Sequence, residues 1–229
     1  RHCVEDSRHT RQDGADRESG DHHPTDVDAD ALRELVTNRH LRAFACCIVL
    51  FHLANAAILP QVARTVTLRS SEWATVLVGA CIVVPQIVVV LLAPTVGRMA
   101  QRWGRRPLLL LGFAALPLRG FLLAFVSDPV VLVATQVLDG IAGSVLAILV
   151  PLTIADTTRG SGHFNLAQGA VGTCVGIGAA ASTTLAGHIS DAFGNALTFL
   201  ALGGIGAVAF LLVLALMPET QPSRPVPNE

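Results

Sequence analysis

The chain has 229 residues, 52% of them hydrophobic and 14% charged, with a formal net charge of −1. Ten of the 17 acids and seven of the 16 bases lie in residues 1–42, so the charge is segregated and its near-zero sum says nothing about partners. Beyond residue 42 come apolar stretches of about 20 residues with short polar joints, each able to cross a hydrocarbon core about 30 Å thick.

Residues 1–27 are rich in Asp, Arg, His, Gly and Ser and lack hydrophobic periodicity, which predicts a disordered linker. His22 and His23 lie there as solvated residues rather than a metal site. Leu32, Leu35 and Val36 form a short apolar stripe, with Asp28 or Asp30 as a possible cap, so a brief surface helix is expected near 29–38. Residues 1–40 therefore read as a cytoplasmic linker, residues 41–220 as a transmembrane domain and residues 221–229 as a tail. The chain starts on Arg1 and its first methionine is Met99, so it reads as a piece of something longer. The cysteines Cys3, Cys46, Cys47, Cys81 and Cys174 form no metal-type pair and no disulfide framework.

Six spans are predicted, at 41–60, 74–97, 107–126, 129–151, 165–187 and 195–217; the runs are too long and too unbroken for strands. The octapeptide Gly97–Gly104 is echoed at Gly187–Gly194, 90 residues later. Adding the same offset carries span two onto span five and span three onto span six. A repeat holding three spans must place its second copy upside down. The arginines agree. Arg33, Arg39, Arg42, Arg98, Arg102, Arg105, Arg106, Arg159 and Arg224 fall on one side, against Arg64 and Arg69 on the other, nine to two. The richer side is the cytoplasmic one, which places both termini there. The fold class is thus an all-α membrane protein of two inverted three-helix repeats.

Gly97, Ala100, Arg102, Gly104, Arg105 and Arg106 match the loop G-x-L-A-D-R-x-G-R-R of the major facilitator superfamily, which the chain resembles over residues 41–220. Gln101 stands where that loop carries aspartate, the main departure. Met217-Pro218-Glu219-Thr220 is similar to the ending of a six-helix half. The resemblance implies half of a twelve-helix fold, the C-terminal half because a charged linker precedes it. It implies Gly97, Arg102, Gly104, Arg105 and Arg106 as a cytoplasmic gating loop, a missing N-terminal six-helix half as partner, and a bacterial inner (plasma) membrane location. It also implies secondary active transport of a small-molecule substrate, with proton-coupled efflux of a drug-like compound favoured. Uptake of a sugar or organic acid, or a non-transporting membrane fragment, are the alternatives.

Arg119 and Asp139 lie inside spans three and four, about eight and eleven residues from the turn at Ser127-Asp128. At 1.5 Å per residue their depths differ by about 4–5 Å, which predicts a salt bridge. The pair either locks two helices or couples transport. Gln136, Asp139 and Gly143 share one face of span four. His52 and Asn55 sit three apart in span one, and histidine changes charge near physiological pH. These five polar residues, His52, Asn55, Arg119, Gln136 and Asp139, are the substrate or coupling candidates, with Gln86 a weaker one. Gly169, Gly172 and Gly176, with Ala180, Thr183 and Gly187, make a small-residue stripe on span five that predicts close helix packing. Gly176-Ile177-Gly178 lies inside a span and follows no strand, so it is no nucleotide loop. No nucleophile motif, metal set, cofactor motif or nucleic-acid surface emerges, so neither an enzyme nor a cofactor is expected.

Overall fold

The computed structural model describes residues 37–69 and 72–217. The expected linker, its short helix near 29–38, His22, His23, Cys3 and the tail from Pro218 lie outside the described residues. Among the described residues eight helices make six spans: α1 (Arg39–Asn55) with α2 (Ile58–Arg69), α3 (Ala74–Arg102), α4 (Arg106–Phe125), α5 (Pro129–Ala134) with α6 (Gln136–Thr157), α7 (Phe164–Phe193) and α8 (Asn195–Leu216). All six are long and apolar enough to cross a membrane.

The helix ends follow local chemistry. Asn38 caps α1 by accepting from the N–H groups of His40 and Leu41 at 3.0 and 3.2 Å. Asp128 caps α5 by accepting from Val130 and Val131 at 2.8 and 3.1 Å, and Pro129 fills the first helical position. This is the tight turn expected between spans three and four.

Two spans are broken, which the hydropathy pattern did not show. Span one turns at Ala56–Ala57 before α2. Pro60 has no N–H to offer the Ala56 carbonyl, so the ladder fails there. The freed N–H of Ala57 donates instead to Ser182 Oγ of α7 at 3.0 Å. Span four breaks at Thr135, whose hydroxyl donates to the Leu132 carbonyl at 2.7 Å.

Four predicted spans end short: span one runs on to Arg69 and span four to Thr157, and the other two lengthen through the octapeptides. Span two runs on through the loop motif to Arg102, and span five runs on to Phe193. Most of each octapeptide is therefore helix, not joint. The actual turns fall on Gly104 and Gly194, at φ 94° and 83°. Only glycine adopts that backbone without steric cost, so the two echoing glycines terminate equivalent helices.

The packing obeys the repeat. Span three lies along span six; span two lies along span four and span five along span one; span three also touches four, and six also touches one. Exchanging one with four, two with five and three with six maps this pattern onto itself. Each middle helix packs on the other repeat rather than its own, so the two triplets interlock. Spans two and five bury the smallest share of their surfaces.

Close crossings rest on glycines. A Cβ at Gly120 would lie 2.6 Å from the Cα of Gly203, so spans three and six meet backbone to backbone. Gly112 receives Val145, and Gly178 faces the Val49 carbonyl of α1. Among the described residues nothing lies within 4 Å of a Cβ at Gly169, Gly172 or Gly176, so the packing expected of that stripe is not made within this unit. Span five has small residues on more than one face. The face buried in this unit carries Ala167, Val171, Gly178, Ser182, Ala186 and Ser190.

Candidate functional site: a buried arginine cluster

Arg119 is 1% exposed, the largest fully buried side chain among the described residues. A charge at membrane depth costs at least about 2.5–3.5 kcal/mol on insertion scales, so it demands partners. One terminal nitrogen donates to Asp139 Oδ1 at 2.6 Å and to Asn55 Oδ1 at 2.8 Å. The other donates to Gln136 Oε1. Its Nε has no partner among the described residues.

Each partner is delivered by a feature of the backbone. Asn55 is the last residue of α1, just before the break in span one. Gln136 opens α6, just after the break in span four, and its own Nε2 donates to the Leu132 carbonyl at 2.9 Å. That bond fixes the amide so that its oxygen faces Arg119. Asp139 follows one turn later, with 23% of its side chain exposed. Three spans thus meet at one cation: one acid neutralises it and two amides add acceptors to its terminal nitrogens. The arginine is sealed inside, and the carboxylate is its contact with the exterior.

Four of the five predicted polar residues come together here. His52 is half-buried one turn before Asn55. Its ring meets Phe51 edge-on at 5.4 Å between centroids and enters none of the hydrogen bonds of the cluster. Gly143 is a packing residue, with Val89 3.2 Å from where its Cβ would be. Gln86 is exposed on α3 among Ile82, Val83, Ile87, Val90 and Leu91, away from the cluster.

The loop-motif arginines divide by burial. Arg105 is 7% exposed; its Nε donates to Asp156 Oδ2 at 3.1 Å and its terminal nitrogen to the Ala100 carbonyl at 2.6 Å. Arg106 donates to the Leu214 carbonyl at 2.8 Å and so secures the end of α8. Arg98 reaches Thr95 at 3.1 Å, and Arg102 is exposed. Sequence reasoning missed Asp156, which also takes Arg159 at 3.4 Å. A signal for it was present. Asp156 ends span four on the arginine-rich side and is one of five acids among the described residues, with Glu72, Asp128, Asp139 and Asp191. No group of three His, Cys, Asp or Glu able to hold a metal occurs among the described residues.

A family model described as Major Facilitator Superfamily matches residues 43–229. An uncharacterized MFS-type transporter of Mycobacterium tuberculosis is 42% identical over 207 residues, 90% of this chain and 49% of that relative. The class B tetracycline resistance protein of Escherichia coli is 32% identical over 146 residues, 64% of this chain and 36% of its own length. The class G protein of Vibrio anguillarum is 32% identical over 148 residues, with the same two shares. The chain spans about half the length of the mycobacterial relative it matches.

Proposed function

The chain belongs to the major facilitator superfamily, and we propose that it is the C-terminal six-helix half of a proton-coupled secondary transporter that exports a drug-like organic compound. Membership indicates an integral membrane protein of transport rather than catalysis. In the proposed mechanism this half rocks against a second six-helix half around a midplane site. The arginine-rich side and both termini face the cytoplasm of a bacterial cell.

The observation that carries this reading is the cluster of Arg119, Asp139, Asn55 and Gln136. A buried cation whose one counter-charge is a partly exposed acid is sensitive to that acid's charge. Protonating Asp139 leaves Arg119 held by neutral acceptors alone, so proton occupancy and the packing of spans one, three and four are linked. Such linkage is what coupling requires, since a ligand shifts an equilibrium only by its differential affinity for the two states. The drug-like substrate is favoured by the tetracycline-resistance names of two of the relatives. Gly97, Arg102, Gly104, Arg105 and Arg106 serve as the cytoplasmic gate, with Arg105–Asp156 as its buried fastening.

The protein from its complete reading frame, reconstituted in proteoliposomes with an imposed pH gradient, tests this. Fluorescent organic compounds should move against their own gradient and stop when a protonophore is added. Movement of sugars or organic acids instead supports the uptake alternative. Movement of no solute supports a non-transporting membrane fragment.

A further inference from the structure

The octapeptide and its echo end α3 and α7 with the same kind of turn and opposite charge. Position by position, Arg98 answers to His188, Gln101 to Asp191, Arg102 to Ala192 and Trp103 to Phe193. The aromatic is kept at both ends and is exposed at both, 64% at Trp103 and 71% at Phe193. Exposed aromatic rings at helix ends belong to the boundary between hydrocarbon and headgroups. The arginines are confined to the Gly104 end and the acid to the Gly194 end. The two ends therefore share a depth in the membrane and differ in the charge presented there.

Helix length sets that depth. The 29 residues of α3 rise about 43 Å at 1.5 Å each, against a hydrocarbon core of about 30 Å and about 40–45 Å with the headgroups. Roughly 6 Å of helix, about four residues, emerges at each end. Arg98 thus lies at the edge of the hydrocarbon, and Arg102, the last residue of α3, lies among the headgroups. One helical turn separates them, so they stand on one face of α3.

Neither arginine has a counter-charge among the described residues. Both are exposed, and Arg98 donates to Thr95 Oγ1 at 3.1 Å. Arg105 and Arg106, by contrast, reach Asp156 and the Leu214 carbonyl. Asp156 is the one acid among the described residues on this side; it is 5% exposed and holds both Arg105 and Arg159. Gln101 lies between Arg98 and Arg102, at the place where the family's loop has an aspartate. An aspartate there would pair with Arg98 at helical spacing. Glutamine leaves both guanidinium charges uncompensated.

We propose that Arg98 and Arg102, with Trp103 beside them, bind the phosphodiester headgroup of an anionic lipid in the cytoplasmic leaflet. A guanidinium offers parallel N–H groups that match two phosphate oxygens, and two guanidinium groups one turn apart can share one phosphate. The cytoplasmic leaflet carries the negative surface potential that attracts such a pair. A zwitterionic headgroup also brings a cation, and this end has no exposed acid among the described residues to receive it. Depth selects a lipid over a free anion, because Arg98 stands at the hydrocarbon edge. The inference needs the chain's membrane embedding and the orientation given above, and it stands apart from what the chain transports.

Native mass spectrometry of the complete protein, released from micelles holding equal amounts of phosphatidylglycerol and phosphatidylcholine, reads the site. The parent should retain phosphatidylglycerol in preference. One arginine near a charged bilayer surface is worth roughly fivefold in binding. Arg98→Gln and Arg102→Gln should therefore each lower the preference by about that factor, and Gln101→Asp likewise. Arg64→Gln, at the other end, should leave it unchanged. The three positions on α3 are exposed, so these variants should keep the fold, which size-exclusion elution checks. A parent without preference, or a preference untouched by Arg98→Gln combined with Arg102→Gln, overturns the site. Displacement of the bound phosphatidylglycerol by millimolar glycerol phosphate overturns the lipid assignment in favour of a soluble anion. None of these readings uses transport, so a failure of the transporter reading leaves the test intact.

Discussion

Removing one member of the Arg119–Asp139 pair should be worse than removing both. Arg119 is 1% exposed and Asp139 supplies the only carboxylate among its hydrogen-bond acceptors. In Asp139→Ala the cation keeps two amide acceptors and no counter-charge. Breaking a buried pair from one side costs about 3–5 kcal/mol, whereas replacing both partners by apolar side chains of similar size is often neutral. At roughly 2–4 °C per kcal/mol for a unit of this size, each single variant should lose about 6–20 °C in its unfolding midpoint. Arg119→Met with Asp139→Leu should stay within a few degrees of the parent. The assay is thermal unfolding in detergent, followed by size-exclusion chromatography, alongside transport by whatever folds. A double variant no more stable than either single would refute the pairing argument. If the double variant folds and fails to transport, the pair acts in coupling. If it folds and transports normally, the pair is a helix lock, and the coupling group is to be sought at His52.

Three further outcomes follow from the same geometry. A cysteine at Trp103, 64% exposed beside the arginine-rich turn, should react with impermeant thiol reagents only from the cytoplasm, and one at Asp191 only from outside; the reverse pattern refutes the assigned orientation. Gly120→Ala should cost about 1–3 kcal/mol by overpacking against Gly203, seen as a lowered unfolding midpoint, whereas Gly172→Ala, with nothing within 4 Å, should leave the midpoint unchanged; equal effects would refute the packing account. Arg105→Met should leave Asp156, which is 5% exposed, with only the exposed Arg159 as counter-charge and destabilise the fold more than Arg102→Met at an exposed site; the comparison of midpoints reads this directly.

The six spans, their repeat and the Arg119–Asp139 pair were legible in the sequence because each rests on a one-dimensional quantity. Span length is set by membrane thickness, the repeat by a fixed offset, and the pair by counting residues outward from a short turn. The loop motif was legible too, though its helical continuation to Arg102 was not, since nothing in the octapeptide opposes helix before Gly104. The tertiary structure alone decided the rest. Asn55 and Gln136 reach Arg119 because spans one and four break beside them, and a break depends on where a lost backbone bond finds a substitute, here Ser182 on another span. Asp156 finds Arg105 because span two packs on the opposite repeat. Span five carries small residues on more than one face, and periodicity cannot say which face meets a neighbour. That choice belongs to the interlocking of the two triplets, where contacts join residues more than a hundred positions apart, beyond the reach of any local pattern.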